Sequence, residues 1–143
     1  TEGGLDILSQ RERVGQAVGR LQDAGIVVSM FLDPDLAQIE AAAAIGADAV
    51  ELHTGQYALA QPGPEQALEL ATLRAAAAEI RQFEMTLHAG HGLTYRNVKP
   101  IAAIADMHEL NIGHSIIARS IMVGLERAVR EMKELIDTRH KTP

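Results

Sequence analysis

The 143-residue sequence has no cysteine and no tryptophan, and only two phenylalanines and two tyrosines. Without cysteine there are neither disulfides nor thiolate metal sites, which suits a cytoplasmic protein. With so few aromatic rings, the core has to be built from aliphatic side chains and alanine. No apolar run reaches the roughly 18 residues that a membrane span needs, so no membrane partner is expected, and no secretory pattern is read at the start. Positive charge is also scarce. The formal net charge is −6, which argues against nucleic acid, a partner held by clustered Lys and Arg. A single phosphate group escapes that exclusion, because local backbone donors hold it whatever the total charge.

What is present is ordinary for one globular domain, with 47% hydrophobic and 22% charged residues. Four short apolar runs alternate with helix patterns. A first helix is predicted over 10–24, with Val14, Ala17, Val18 and Leu21 on one face and Gly25 as its stop. Residues 26–32 read as a buried strand. Asp33 and Pro34 then read as the N-cap and first residue of a helix that Gly46 closes. Residues 49–53 form the next strand, followed by a loop rich in Gln, Pro and Gly. A long helix over 64–83 turns Leu70, Leu73, Ala77 and Ile80 toward the core. A third strand over 85–88, a short helix over 98–103 and a fourth strand over 109–112 complete the alternation. The last helix, from Ser115, carries Ile117, Ile121, Leu125, Ala128, Met132 and Leu135 on one stripe. Residues 1–136 are read as one domain. The stretch 137–143 has no apolar residue and is read as a flexible tail.

Strand and helix alternating at this spacing imply βαβ crossovers and a parallel α/β sheet. The strand faces distinguish a barrel from a doubly wound sheet. Val50 and Leu52 oppose Glu51 and His53; Met85 and Leu87 oppose Thr86 and His88; Leu110 and Ile112 oppose Glu109 and Asn111. A doubly wound sheet is covered by helices on both faces and should be apolar on both. One polar face fits half of an eight-stranded β/α barrel of the TIM type, built from four parallel β/α units.

Three clusters carry the candidate chemistry. Glu51 and His53, at i and i+2, point to the same side and can stabilise positive charge or move a proton, unless they form only an internal salt bridge or polar network. His88, Gly90, His91 and Gly92 sit at a strand end, where glycines admit a ligand and histidines exchange protons near neutral pH. The alternative is a tight turn with incidental histidines. A metal site is not expected, because no completing ligands stand at a recognisable spacing. Asn111, Gly113, His114 and Ser115 run from a strand end into the last helix, where free N–H groups and the helix dipole favour an anion. That stretch reads equally as an N-cap turn that binds nothing. His108 is placed on a surface turn and His140 in the tail, and Arg127, Arg130 and Lys133 on a solvated helix face.

Four motifs together resemble the pyridoxine 5′-phosphate synthase family: Thr1-Glu2-Gly3-Gly4-Leu5-Asp6, Glu51-Leu52-His53-Thr54-Gly55, His88-Ala89-Gly90-His91-Gly92-Leu93 and Asn111-Ile112-Gly113-His114-Ser115-Ile116-Ile117-Ala118-Arg119. The likeness runs to about Ile136. It implies the C-terminal half of a (β/α)8 barrel, assembled in the cytoplasm as a homo-octamer. The implied reaction condenses 3-amino-2-oxopropyl phosphate with 1-deoxy-D-xylulose 5-phosphate, giving pyridoxine 5′-phosphate, phosphate and water without metal or organic cofactor. By matching motif, His91 is the implied proton donor and Glu51 the transition-state stabiliser. Gly92, Gly113 and His114 are the implied substrate contacts, the last two at phosphate, with His53, His88 and Asn111 in support.

At His88 the family is expected to carry Asn. The resemblance also implies that about 100 residues of a barrel of roughly 250 precede Thr1, including the family's two general bases. The expectation is therefore a fragment or a halved barrel, inactive alone and active when a complementary half docks or two copies pair. Two other readings compete. A phosphate-binding aldolase or epimerase would show a strand-end lysine or metal ligands, and only Lys99 lies near. A four-stranded phosphate-binding module without catalysis would be a stable monomer.

Overall fold

The computed structural model describes residues 3–137. A turn of 3-10 helix at Leu8–Gln10 leads into α1 (Arg11–Asp23), then β1 (Ser29–Leu32), α2 (Leu36–Ala44), β2 (Ala49–His53), α3 (Gly55–Leu59), α4 (Pro64–Gln82), β3 (Thr86–Gly90), α5 (Val98–Ala102), β4 (Met107–Asn111), α6 (His114–Val123) and α7 (Leu125–Ile136). The four strands are all parallel and lie in the order β1-β2-β3-β4. Sequential order without a switch point is the arrangement of a β/α barrel, whereas a doubly wound sheet reverses direction.

One sheet face carries the core. Met30 and Leu32 of β1, Val50 and Leu52 of β2, and Leu87 and Ala89 of β3 are buried in one cluster with Ile39, Leu73, Ile80 and Ile101 from the helices. The alternate positions Ser29, Thr86 and Glu109 are exposed, while Phe31, Glu51 and His88 are half-buried. The polar face predicted from strand alternation is therefore real, and it extends to β1. Among the described residues no helix is long and apolar enough to cross a membrane.

Several boundaries differ from expectation for identifiable reasons. β1 starts at Ser29, because Ile26 is used in closing α1: its N–H donates to Leu21 O at 3.0 Å while the Gly25 N–H donates to Gln22 O at 2.8 Å. Asp35, not Asp33, caps α2, its carboxylate accepting from the Ala37 N–H at 2.8 Å. The five-residue α3 was read as loop. β3 and β4 are displaced from the predicted strands by one or two residues, so His108, expected on a surface turn, belongs to β4. The single final helix is broken at Gly124 (φ +84), and α7 packs back on α6 and α5. As a result the stripe is split: Ala128 and Met132 are buried, but Ile117, Ile121 and Leu125 are exposed. On α1 only Val18 of the predicted face is fully buried. Beyond Asp137 the predicted tail, with His140, lies outside the described residues, as do Thr1 and Glu2 of the first motif.

Glu84 occupies the same left-handed stop after α4 that Gly25 occupies after α1. Its φ is +58, its N–H donates to Arg81 O at 3.0 Å, and the Met85 N–H donates to Ile80 O at 3.2 Å. A Cβ in this conformation is sterically penalised where glycine is not. Glu84→Gly should therefore stabilise the fold by about 1 kcal/mol in urea denaturation. A loss of stability would contradict this reading of the α4 stop.

Candidate active site at the strand ends

Parallel pairing brings the C-terminal ends of the four strands to one edge, and the register aligns their polar residues. Phe31, Glu51, His88 and Glu109 stand side by side across the sheet, with Gly90 between His53 and Asn111 one step further on. The Asn111 side chain lies beside Glu51 and favours its ionised form. Glu51 has room because its neighbour is glycine: a Cβ on Gly90 would overlap Glu51 Oε1 and press on Asn111. Burial pushes the Glu51 carboxyl above the usual range, Asn111 opposes that, and the nearby charge of Glu109 adds to it.

His91 follows β3 in a left-handed conformation, φ +78. Its carbonyl accepts from Thr54 Oγ1 at 2.5 Å, and the same hydroxyl lies 2.7 Å from Gly90 O. The backbone is thereby pinned while the imidazole remains exposed. Partial desolvation, and secondarily the charge of His53, pushes His91 below the ordinary histidine value. An exposed imidazole on a fixed backbone is a group of the type that exchanges protons near neutral pH.

On the opposite side, β4 passes through Ile112 and Gly113 into α6. No side chain caps this helix start, so the first-turn N–H groups face outward with the positive end of the helix dipole. Ser115 ties the turn to the β3 loop by donating to Leu93 O at 2.8 Å. Between these elements lies a cavity of about 540 Å³, lined by Phe31, Glu51, His91, Gly92, Leu93, Thr94, Asn111, Ile112, Gly113, His114 and Ser115. None of these lining residues is lysine or arginine. An anion here would meet backbone donors and His114.

Six of the predicted site residues, Glu51, His91, Gly92, Asn111, Gly113 and His114, thus converge on one cavity. His53 and His88 do not line it. His53, expected to point into the same cavity as Glu51, is 6% exposed and sits behind Phe31 and His91, with Nδ1 2.7 Å from Asp33 Oδ1. His88 lies deeper on the polar face, its Nδ1 3.3 Å from Ser29 Oγ and its ring stacked on His108 at 5.7 Å. Burial pushes His88 below its ordinary value, against the pull of Glu109. Among the described residues, no three His, Asp or Glu side chains converge as metal ligands do. Sequence reasoning missed Asp33 because the following proline made it resemble a helix cap. The available signal was its place one residue past β1, level with His53 on β2.

Sequential parallel β/α units with an acid, a histidine and an uncapped helix start around one strand-end cavity define a module of the β/α-barrel type. Comparison with known sequences names it more closely. The family described as "Pyridoxal phosphate biosynthesis protein PdxJ" matches residues 1–138, and the chain belongs to that family. It is 58% identical over 143 residues to the pyridoxine 5′-phosphate synthase of Magnetococcus marinus, covering 100% of this chain and 59% of that protein. It is 56% identical over 138 residues to the pyridoxine 5′-phosphate synthase of Rhodopirellula baltica, covering 96% of this chain and 56% of that protein. The chain therefore spans less than two thirds of the length of these relatives.

The carboxyl of Glu51 is raised in the folded state, so the fold binds that proton more readily than the unfolded chain does. Its contribution favours the fold in acid and is lost as pH rises through the carboxylate range. Glu51→Gln removes the ionised form and keeps the size. In urea denaturation between about pH 4 and pH 8, the variant should gain stability relative to wild type as pH rises. A difference that does not change with pH would contradict the desolvation described for Glu51.

Proposed function

We propose that this chain supplies the phosphate-holding and proton-donating side of a pyridoxine 5′-phosphate synthase site. The observation that carries the reading is the single cavity that Glu51, His91 and the start of α6 line together. Phosphorylated small molecules are the ligands such a cavity suits, with the phosphate at the Gly113 and His114 N–H groups. Gly92 gives the carbon skeleton close access to the β3 loop. His91 then donates a proton to an oxygen leaving as water, and Glu51 stabilises the positive charge that an amine-derived intermediate develops. His53, His88 and Asn111 support these groups from behind or beside them.

The substrates of this reading are 3-amino-2-oxopropyl phosphate and 1-deoxy-D-xylulose 5-phosphate. Its products are pyridoxine 5′-phosphate, phosphate and water. In this reading the general bases come from the part of the longer relatives that the chain does not span. In this proposal the assembled enzyme is a cytoplasmic homo-oligomer, as the family resemblance implies.

The test is complementation. The chain is assayed for pyridoxine 5′-phosphate formation alone, and again after co-expression with the N-terminal part of the Magnetococcus marinus relative. No turnover alone, turnover on complementation, and at least a 100-fold loss with His91→Ala are expected. Full activity of the isolated chain as a monomer, or an unimpaired His91→Ala variant, would overturn the reading.

A further inference from the structure

His53 is the most enclosed ionisable side chain on the polar face, and nothing in the proposed reaction uses it directly. Its ring is held on every side. Asp33 Oδ1 lies 2.7 Å from Nδ1, Phe31 packs at 5.2 Å and 59°, and the His91 ring meets it edge-on at 4.8 Å and 65°. The Gly55 backbone closes the remaining edge, where a Cβ would stand 2.5 Å from Nε2. Among the described residues Nε2 has no hydrogen-bond partner although it is buried. An unsatisfied buried nitrogen costs about 1–3 kcal/mol, so a purely structural ring would be better replaced by an apolar one.

Asp33 is itself placed with care. It follows β1 directly, and the Gly3-Gly4 segment crosses over it, with Leu5 N–H donating to Phe31 O at 2.8 Å. A Cβ on Gly4 would overlap the backbone of Leu32 and Asp33, and one on Gly3 would stand 3.3 Å from Asp33 Oδ2. The first motif of the chain therefore contains two glycines because it packs on the residue that holds His53. An ionised carboxylate only accepts, so Asp33 fixes the proton of His53 on Nδ1.

We propose that Asp33 and His53 are a positioning pair for His91: the carboxylate fixes the tautomer and tilt of the His53 ring, and that ring sets the orientation of the proton-donating His91 imidazole. The inference rests on the reading of His91 as the acid of this site. His91 has a pinned backbone but an exposed ring, and its structurally recorded ring contact is His53. The groups around it are His53 from β2 with Asp33 behind, and Glu51 and His114, which line the same cavity. In its protonated form His53 also helps to depress His91, after partial desolvation. Losing that influence moves His91 back toward its ordinary value.

Nitrogen-15 NMR of the labelled chain reads the pair without any activity. His53 should be observed with its proton on Nδ1, and a ring protonated at Nε2 alone would overturn the proposal whatever any variant does. Asp33→Asn should change that tautomer, and His53→Gln should raise the His91 titration midpoint. In the complemented enzyme, Asp33→Asn should lower kcat about 10- to 100-fold, with KM nearly unchanged and the pH profile displaced, because it disturbs orientation and acidity rather than binding. If His91→Ala abolishes turnover while Asp33→Asn leaves kcat, the pH profile and the His91 titration untouched, the positioning role fails and the site reading stands. If His91→Ala itself is without effect, the site reading fails first.

Discussion

A carboxylate carried in the middle of a parallel sheet is the constraint on which the rest of this structure depends. Glu51 stands on β2 between Phe31 and His88, where neighbouring strands would ordinarily crowd it with side chains. Three features make the position tenable. Gly90 presents no Cβ to its Oε1, the Asn111 side chain favours its ionised form, and the strand-end cavity keeps one side of the group open. Even so, burial and Glu109 hold the carboxyl above its usual range. A buried charge of this kind costs stability unless it is compensated. Its retention is understandable where charge develops on a ligand.

The same alternation that exposes Glu51 builds the core. Each residue turned toward the cavity places its neighbour, Val50, Leu52, Leu87 or Ala89, against the helices, and these neighbours are fully buried. Scaffold and site are thus two faces of one sheet. A one-residue slip in register would move the carboxylate into the core and the leucines into the cavity. Of the three described non-glycine residues with positive φ, His91 is the one at the site, at the end of β3 beside the cavity.

How much of this was legible in the sequence depended on whether local chemistry or tertiary contact decided each feature. β2 was placed to the residue, because Ala49–His53 is short, apolar and bounded by clear stops. The strand faces of Glu51 and Asn111 followed from alternation alone. Asp33 was misjudged because an Asp-Pro pair carries a strong local signal for a helix cap. The actual cap, Asp35, has extended backbone and accepts from the Ala37 N–H, whereas the Asp33 carboxylate meets His53. His53 was assigned to the right face, but only packing against Phe31 and His91 places it behind the cavity. The break at Gly124 was hidden by a stripe of apolar residues that continues through it; whether that stripe is covered depends on which element lies against it, and sequence periodicity does not encode that. The family came from a different source: four motifs in register, joined by the family match over residues 1–138.

The most direct measurement is a crystal structure of the complemented enzyme with pyridoxine 5′-phosphate bound. The phosphate should lie at the first turn of α6, within hydrogen-bonding reach of the Gly113 and His114 N–H groups, with the pyridine ring between Glu51 and His91. A phosphate bound elsewhere in the barrel, with the start of α6 empty and Glu51 away from the ring, would contradict the account.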